Sequence, residues 1–134
     1  MKTNQTVLIA GASGLVGTAA ANSFIKAGWH VIACSRRFPD LIDAGPFQHV
    51  ALDLQDSEAC KATTAKLNDV THVVYTAVFE LPGLVQGWSD AVQIETNGRM
   101  IRNLLDPLTE HAELRHVTIL QGTKAYGITQ GPIR

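Results

Sequence analysis

Short, nearly unbroken apolar runs alternate along this chain with stretches in which apolar residues recur at helical spacing. The first run, "TVLIA" at Thr6 to Ala10, reads as a buried strand. Over residues 15–27 the placing of Leu15, Val16, Ala19, Ala20, Phe24 and Ile25 predicts a helix, and Gly28 supplies its stop. "HVIACS" (residues 30–35) and "HVALDL" (residues 49–54) predict the second and third strands, separated by the turn-rich "RFPDLIDAGP". A modest helix over residues 57–67, N-capped by Asp56 or Ser57, leads to a fourth strand over residues 71–78. After the interruption "ELPGLVQGW", residues 89–105 predict a long amphipathic helix. Its buried side is Ala91, Val92, Ile94, Met100, Ile101, Leu104 and Leu105, and Pro107 limits its extension. "HVTILQ", residues 116–121, predicts a fifth strand.

Strands that alternate with helices, each strand apolar throughout, specify an α/β fold: a parallel sheet covered by helices on both faces. With right-handed crossovers and a glycine turn after the first strand, the expected architecture is a doubly wound Rossmann sheet in the order 3-2-1-4-5. The sixth strand usual in dinucleotide-binding folds is missing from the pattern. Residues 1–134 read as one domain without internal repeat or linker.

Composition narrows the function classes. A content of 46% hydrophobic and 17% charged residues is that of a globular domain with a core, and a formal net charge of −1 leaves no basic excess for a nucleic-acid partner. No apolar run approaches the ~18 residues of a membrane span, and "MKTNQTVLIAGASG" does not read as a signal peptide, so a cytoplasmic location is expected. Cys34 and Cys60 lack the spacing of a zinc site and read as reduced thiols. His30, His49, His72, His111 and His116 include no pair at ligand spacing on one helix, and no metal is expected.

The candidate chemistry lies where strands end. Gly11, Gly14 and Gly17 form G-x-x-G-x-x-G in "GASGLVG", between the first strand and a well-patterned helix. Glycines there let the backbone turn tightly and approach a pyrophosphate, which sits at the helix N-terminus among unsatisfied N–H groups. Ser13, Leu15 and Val16 belong to the same cradle. At the end of strand two an NAD site usually presents an acidic residue to the ribose 2′-hydroxyl. This chain has Ser35, Arg36 and Arg37 instead, and the arginine fork suits a 2′-phosphate. NADP(H) is therefore expected over NAD(H); a solvated basic pair is the alternative. Asp53 and Leu54 can meet an adenine, although a strand-end Asp can equally cap a turn. Thr76, Ala77 and Val78 end strand four on the same ligand-binding edge.

Taken together, "GASGLVG", "SRR", "LDL", "THVVYTA", "ETNGRMIRNLL" and "LQGTKAYG" cover nearly the whole chain. In that order they resemble the extended and atypical short-chain dehydrogenase/reductase superfamily. Within it the set is most similar to the progesterone 5β-reductase and iridoid synthase-like enone reductases. The resemblance implies an NADPH-dependent reductase that delivers hydride to the β-carbon of an enone of a small-molecule substrate. It further implies that Lys124 sits near the nicotinamide ribose and contributes positive charge, that Asn97 organises the site, and that Gln121 lies beside the cofactor.

Two departures qualify the comparison. Tyr126 has Gln130 where a Tyr-x-x-x-Lys pair would have its lysine, so the tyrosine reads as a structural residue of its loop. Gln121 and Gly122 replace the serines of the epimerase-type pattern, leaving Thr123 as the available hydroxyl. The enone reductases carry their catalytic tyrosine, further strands and substrate-binding segment later in the chain. The expectation is thus the cofactor-binding part of a longer reductase, with an apolar fifth-strand edge that invites homo-oligomerisation. The alternatives are a non-catalytic NADP(H)-sensing module acting through a protein partner, and a nucleotide-sugar epimerase or dehydratase relative.

Overall fold

The computed structural model describes residues 5–41, 45–82 and 90–121. In chain order these form β1 (Thr6–Ala10), α1 (Leu15–Lys26), β2 (His30–Ser35), β3 (Gln48–Ala51), α2 (Ser57–Thr64), β4 (His72–Tyr75), α3 (Ala91–His111) and β5 (His116–Ile119). The five strands make one sheet in the order β3-β2-β1-β4-β5, and every pairing is parallel. This is the doubly wound order that the sequence predicts.

Strand alternation sorts the core into two layers. Leu8, Ala10, Ile32, Cys34, Val73 and Tyr75 face one way and pack with Cys60 of α2 and with Met100, Leu104 and Leu108 of α3. Val7, Ile9, Val31 and Ala33 face the other way and pack against Ala21 and Ile25 of α1. The central strands β1 and β2 are almost wholly buried, but β3 and β5 are not. The sheet has a packed layer on each face, as expected, and its cover thins at the rims, where a strand has one neighbour and its residues meet water.

Helix ends follow their local chemistry. Asp56 caps α2, its side chain accepting from Ala59 N at 3.0 Å. Past α1, Gly28 adopts φ 86°, and Trp29 N donates back to Phe24 O, which closes the helix at the residue the sequence marks. Five strand or helix ends come earlier than predicted: α1 at Lys26, β3 at Ala51, α2 at Thr64, β4 at Tyr75 and β5 at Ile119. The residues beyond each turn out of the regular element; Thr76, for example, turns its hydroxyl onto Ala10 O.

Helix α3 departs from expectation twice. It runs through Pro107 to His111. Proline deletes one helical hydrogen bond at about 3 kcal/mol, and the fully buried Leu104 and Leu108 on either side of it outweigh that loss. Its buried face is also rotated: Val92 and Ile94 are 58% and 60% exposed, whereas the polar Gln93 and Thr96 are buried. The reason is backbone hydrogen bonding. Gln93 Oε1 accepts from Leu81 N at 2.8 Å, and Asn97 accepts from Phe79 N at 2.7 Å while donating to Phe79 O at 2.8 Å. Two amide side chains thus satisfy the irregular segment after β4, which a hydrophobic face could not do.

Candidate dinucleotide site

A cleft of about 480 Å³ opens at the carboxyl edge of the sheet. Of the residues singled out in the sequence, Gly11, Ser13, Gly14, Ser35, Arg36, Asp53, Leu54, Thr76, Ala77 and Val78 line it. They arrive from the ends of four different strands because parallel strands deliver all their carboxyl ends to one side.

The turn after β1 is made by close backbone packing. Gly11 has φ 83°, and a Cβ there would lie 2.7 Å from both Ala77 N and Thr76 Oγ1. At Gly17 a Cβ would stand 2.0 Å from Gly11 O, so the first turn of α1 rests directly on the strand-to-helix turn. Gly14 differs: its φ of −83° suits any residue, and a Cβ would meet nothing nearer than Gly11 O at 3.4 Å. Gly14 is the N-cap of α1 and makes no side-chain cap, and no acidic residue occupies the first turn. The leading N–H groups of α1, those of Leu15, Val16 and Gly17, therefore have neither helical carbonyl nor capping side chain. Leu15 and Val16 themselves are 91% and 50% exposed and do not line the cleft with their side chains. A cradle closed to side chains and open to an anion fits a pyrophosphate.

The turn after β2 is made by side chains. Ser35 is buried; its Oγ donates to Arg37 O at 2.5 Å and lies 3.2 Å from His49 Nε2. The hydroxyl proton that the sequence reading offered to a phosphate is thus committed within the protein. Arg36 reaches the cleft; Arg37 is exposed outside its lining. Asp53 and Leu54 follow β3 instead of ending it. Asp53 lines the cleft and also accepts from Gln55 N at 3.0 Å, so the turn-capping alternative holds alongside the pocket position.

Beneath both turns lies Cys34, whose carbonyl accepts from Gly11 N at 3.0 Å and Ala12 N at 3.2 Å. Burial, and secondarily Cys60, push its thiol up to about 12, so it forms a neutral, unreactive floor. Burial likewise raises Cys60 to about 11, with Asp56 and Asp53 adding to the effect, and Tyr75 to about 12, with Cys34 and Cys60 adding. The Tyr75 hydroxyl has no hydrogen-bond partner among the described residues and works as packing.

Asn97 lies outside the cleft lining but holds Phe79, which is in it. Gln121 is exposed beyond β5 and does not line the cleft. Lys124, Thr123, Tyr126 and Gln130 lie outside the described residues. Sequence reasoning missed Cys34, Leu52, Gln55, Phe79, Glu80 and Met100 as cleft residues. Phe79 was signalled by its place just after a strand end, but Met100 comes from a helix, and only the packing of α3 brings it there.

Sheet order, glycine cradle and strand-end cleft together define a dinucleotide-binding Rossmann domain. The chain belongs to the NAD dependent epimerase/dehydratase family, whose profile it matches over residues 7–134, within the short-chain dehydrogenase/reductases. It is 33% identical over 129 residues to a 3-oxo-Delta(4,5)-steroid 5-beta-reductase of Arabidopsis thaliana, covering 91% of this chain and 32% of that protein. An (S)-8-oxocitronellyl enol synthase of Nepeta cataria is 29% identical over 126 residues, covering 89% of this chain and 30% of the relative. The chain thus spans about a third of the length of these relatives. Its fold also matches the UDP-glucose 4-epimerase of Bifidobacterium longum in complex with NAD+ and UDP, with a TM-score of 0.78, 19% identity, and coverage of 96% of this chain and 41% of that one. Structural neighbours include complexes with NAD and with NADP. Among the described residues no helix is long and apolar enough to cross a membrane.

Proposed function

We propose that this chain is the NADP(H)-binding part of a reductase acting on an enone or carbonyl of a small molecule. The observation that carries the nucleotide preference is the turn after β2, which presents Arg36 to the cleft and Arg37 beside it where an NAD site would carry a carboxylate. The reaction class rests on the likeness to a 3-oxo-Delta(4,5)-steroid 5-beta-reductase, with Lys124 in the role of a positive charge near the nicotinamide ribose.

Titration with NADPH and NADH, read by nicotinamide fluorescence, tests binding. Replacing both Arg36 and Arg37 by alanine should cost NADPH roughly 1.5–3 kcal/mol, the weight of a charge-assisted contact, and leave NADH unchanged. Equal loss for both nucleotides overturns the preference. A second reading, an epimerase or dehydratase relative, follows from the family description. Oxidation of NADPH dependent on a 4-en-3-oxo steroid supports the reductase; turnover of a nucleotide sugar without net oxidation supports the other.

A further inference from the structure

Ser35 has one hydroxyl proton, and it goes to Arg37 O at 2.5 Å. His49 Nε2, on the neighbouring strand β3, lies 3.2 Å from Ser35 Oγ and 3.3 Å from Ser35 O. A carbonyl can only accept, and a hydroxyl whose proton is already committed can only accept from a further partner. Nε2 must therefore carry a proton and donate, which fixes the direction of the whole relay: His49 Nε2–H to Ser35 Oγ, and Ser35 O–H to Arg37 O. The ring is held for this role. Phe38 packs against it with centroids 5.1 Å apart at 69°, and Phe47 supports Phe38 at 5.5 Å. Phe38 is 71% exposed, so its position is set by these two rings and not by burial.

We propose that His49 is a positioning residue for recognition of the ribose 2′-phosphate: through Ser35 it holds the Arg37 carbonyl, and with it the backbone from which both guanidiniums project. This rests on the NADP(H) reading above. An arginine fork gives its full affinity when its two N–H vectors meet two oxygens at once, and a turn free to rotate would average that match away. His49 touches neither nucleotide nor substrate, and its effect falls on discrimination between NADPH and NADH. Chained hydrogen bonds polarise one another, so loss of the first donor also weakens the Ser35 bond to Arg37.

The test compares dissociation constants of NADPH and NADH for the wild-type chain, His49→Leu and His49→Gln. Leucine keeps an apolar contact for Phe38 but donates nothing; glutamine places an N–H near the position of Nε2. His49→Leu should lower the NADPH-over-NADH preference about fivefold, the weight of one net hydrogen bond, with the NADH constant unchanged. His49→Gln should retain most of the preference. Ser35→Ala, which cuts the same relay from the other side, should lower the NADPH-over-NADH preference by a similar factor and serves if His49→Leu does not fold. An unchanged preference in a wild type that favours NADPH overturns the role of His49 while leaving the cofactor reading intact. Equal weakening of both nucleotides, or glutamine as damaging as leucine, overturns it as well. A wild type without preference for NADPH overturns both readings.

Discussion

The two turns that meet in the cleft are built on opposite plans. After β1 the chain succeeds by having no side chains: Gly11 and Gly17 bring backbone within reach of backbone, and Thr76 ties β4 to the turn through Ala10 O at 2.7 Å. After β2 the chain succeeds by side chains, with Ser35, His49, Phe38 and Phe47 fixing a short turn that offers two arginines. The first plan suits the pyrophosphate, which every dinucleotide shares. At Gly11 and Gly17 it has no room to vary. The second suits the ribose, where cofactors differ. General affinity and specificity are thus placed on separate hardware, joined through Cys34 and Ser35, which are consecutive in β2.

The sharpest way to break that contrast is Gly17→Ala. The added methyl would stand 2.0 Å from Gly11 O and 2.7 Å from Gly11 C, both backbone atoms that cannot swing aside. Chemical denaturation should show a loss above about 4 kcal/mol, in the range kept for forced core rearrangement, with NADPH and NADH binding lost together. A stable Gly17→Ala protein that still binds would show that the helix can back away from the turn. The replacement of Arg36 and Arg37, by contrast, should shift selectivity and leave the denaturation curve in place.

Gly14→Ala makes a finer cut through the same motif. The free chain has room for this methyl and a compatible φ, so stability should move by less than about 0.5 kcal/mol. Affinity for both nucleotides should fall equally, by about 1–3 kcal/mol, the usual cost of a methyl forced into an occupied contact. A selective loss of NADPH would contradict the assignment of this turn to the shared pyrophosphate.

How much of this was legible beforehand divides along the same line. The helix stop at Gly28 and the glycine turn follow from local pattern, because periodicity and backbone sterics act over a few residues, and the sheet order follows from the handedness of the crossovers. Ten of the residues marked in the sequence line the cleft for a topological reason: parallel strands bring their carboxyl ends together. The pattern says that Gly11, Gly14 and Gly17 matter but not that they matter differently; only the distance to Gly11 O separates Gly17 from Gly14. His49 and Gln93 were invisible. Both bond to groups distant in sequence, Ser35 and Leu81, and hydrophobic spacing even pointed the face of α3 at Val92 and Ile94, away from Gln93. Polar residues chosen to satisfy irregular backbone leave no periodic trace.

The smallest effect lies at the far edge of the sheet and serves as a control on both turns. His72 opens β4, pairs in register with His116 of β5, packs its ring edge-on to Trp29 at 4.7 Å and contacts Thr71 Oγ1 through Nδ1 at 2.8 Å. Burial, then His116 and Arg115, lower its pKa from the ordinary 6.5. The unfolded chain therefore takes up a proton before the folded one does. Stability from this group is complete above the ordinary histidine value, declines as pH falls below it, and is lost once the lowered folded value is passed. A thermal melt at pH 7.5 and again near pH 5.5 should show a lower Tm in acid. His72→Phe, which keeps the ring on Trp29 but cannot protonate, should flatten part of that decline. Because the residue stands at the amino ends of the strands, the variant should bind NADPH and NADH at pH 7.5 as the wild type does. An acid decline unchanged by His72→Phe would assign the loss to other groups. A changed NADPH-to-NADH ratio in the variant would show that the two ends of the sheet are coupled and that the separation of the two turns from the rest of the fold is incomplete.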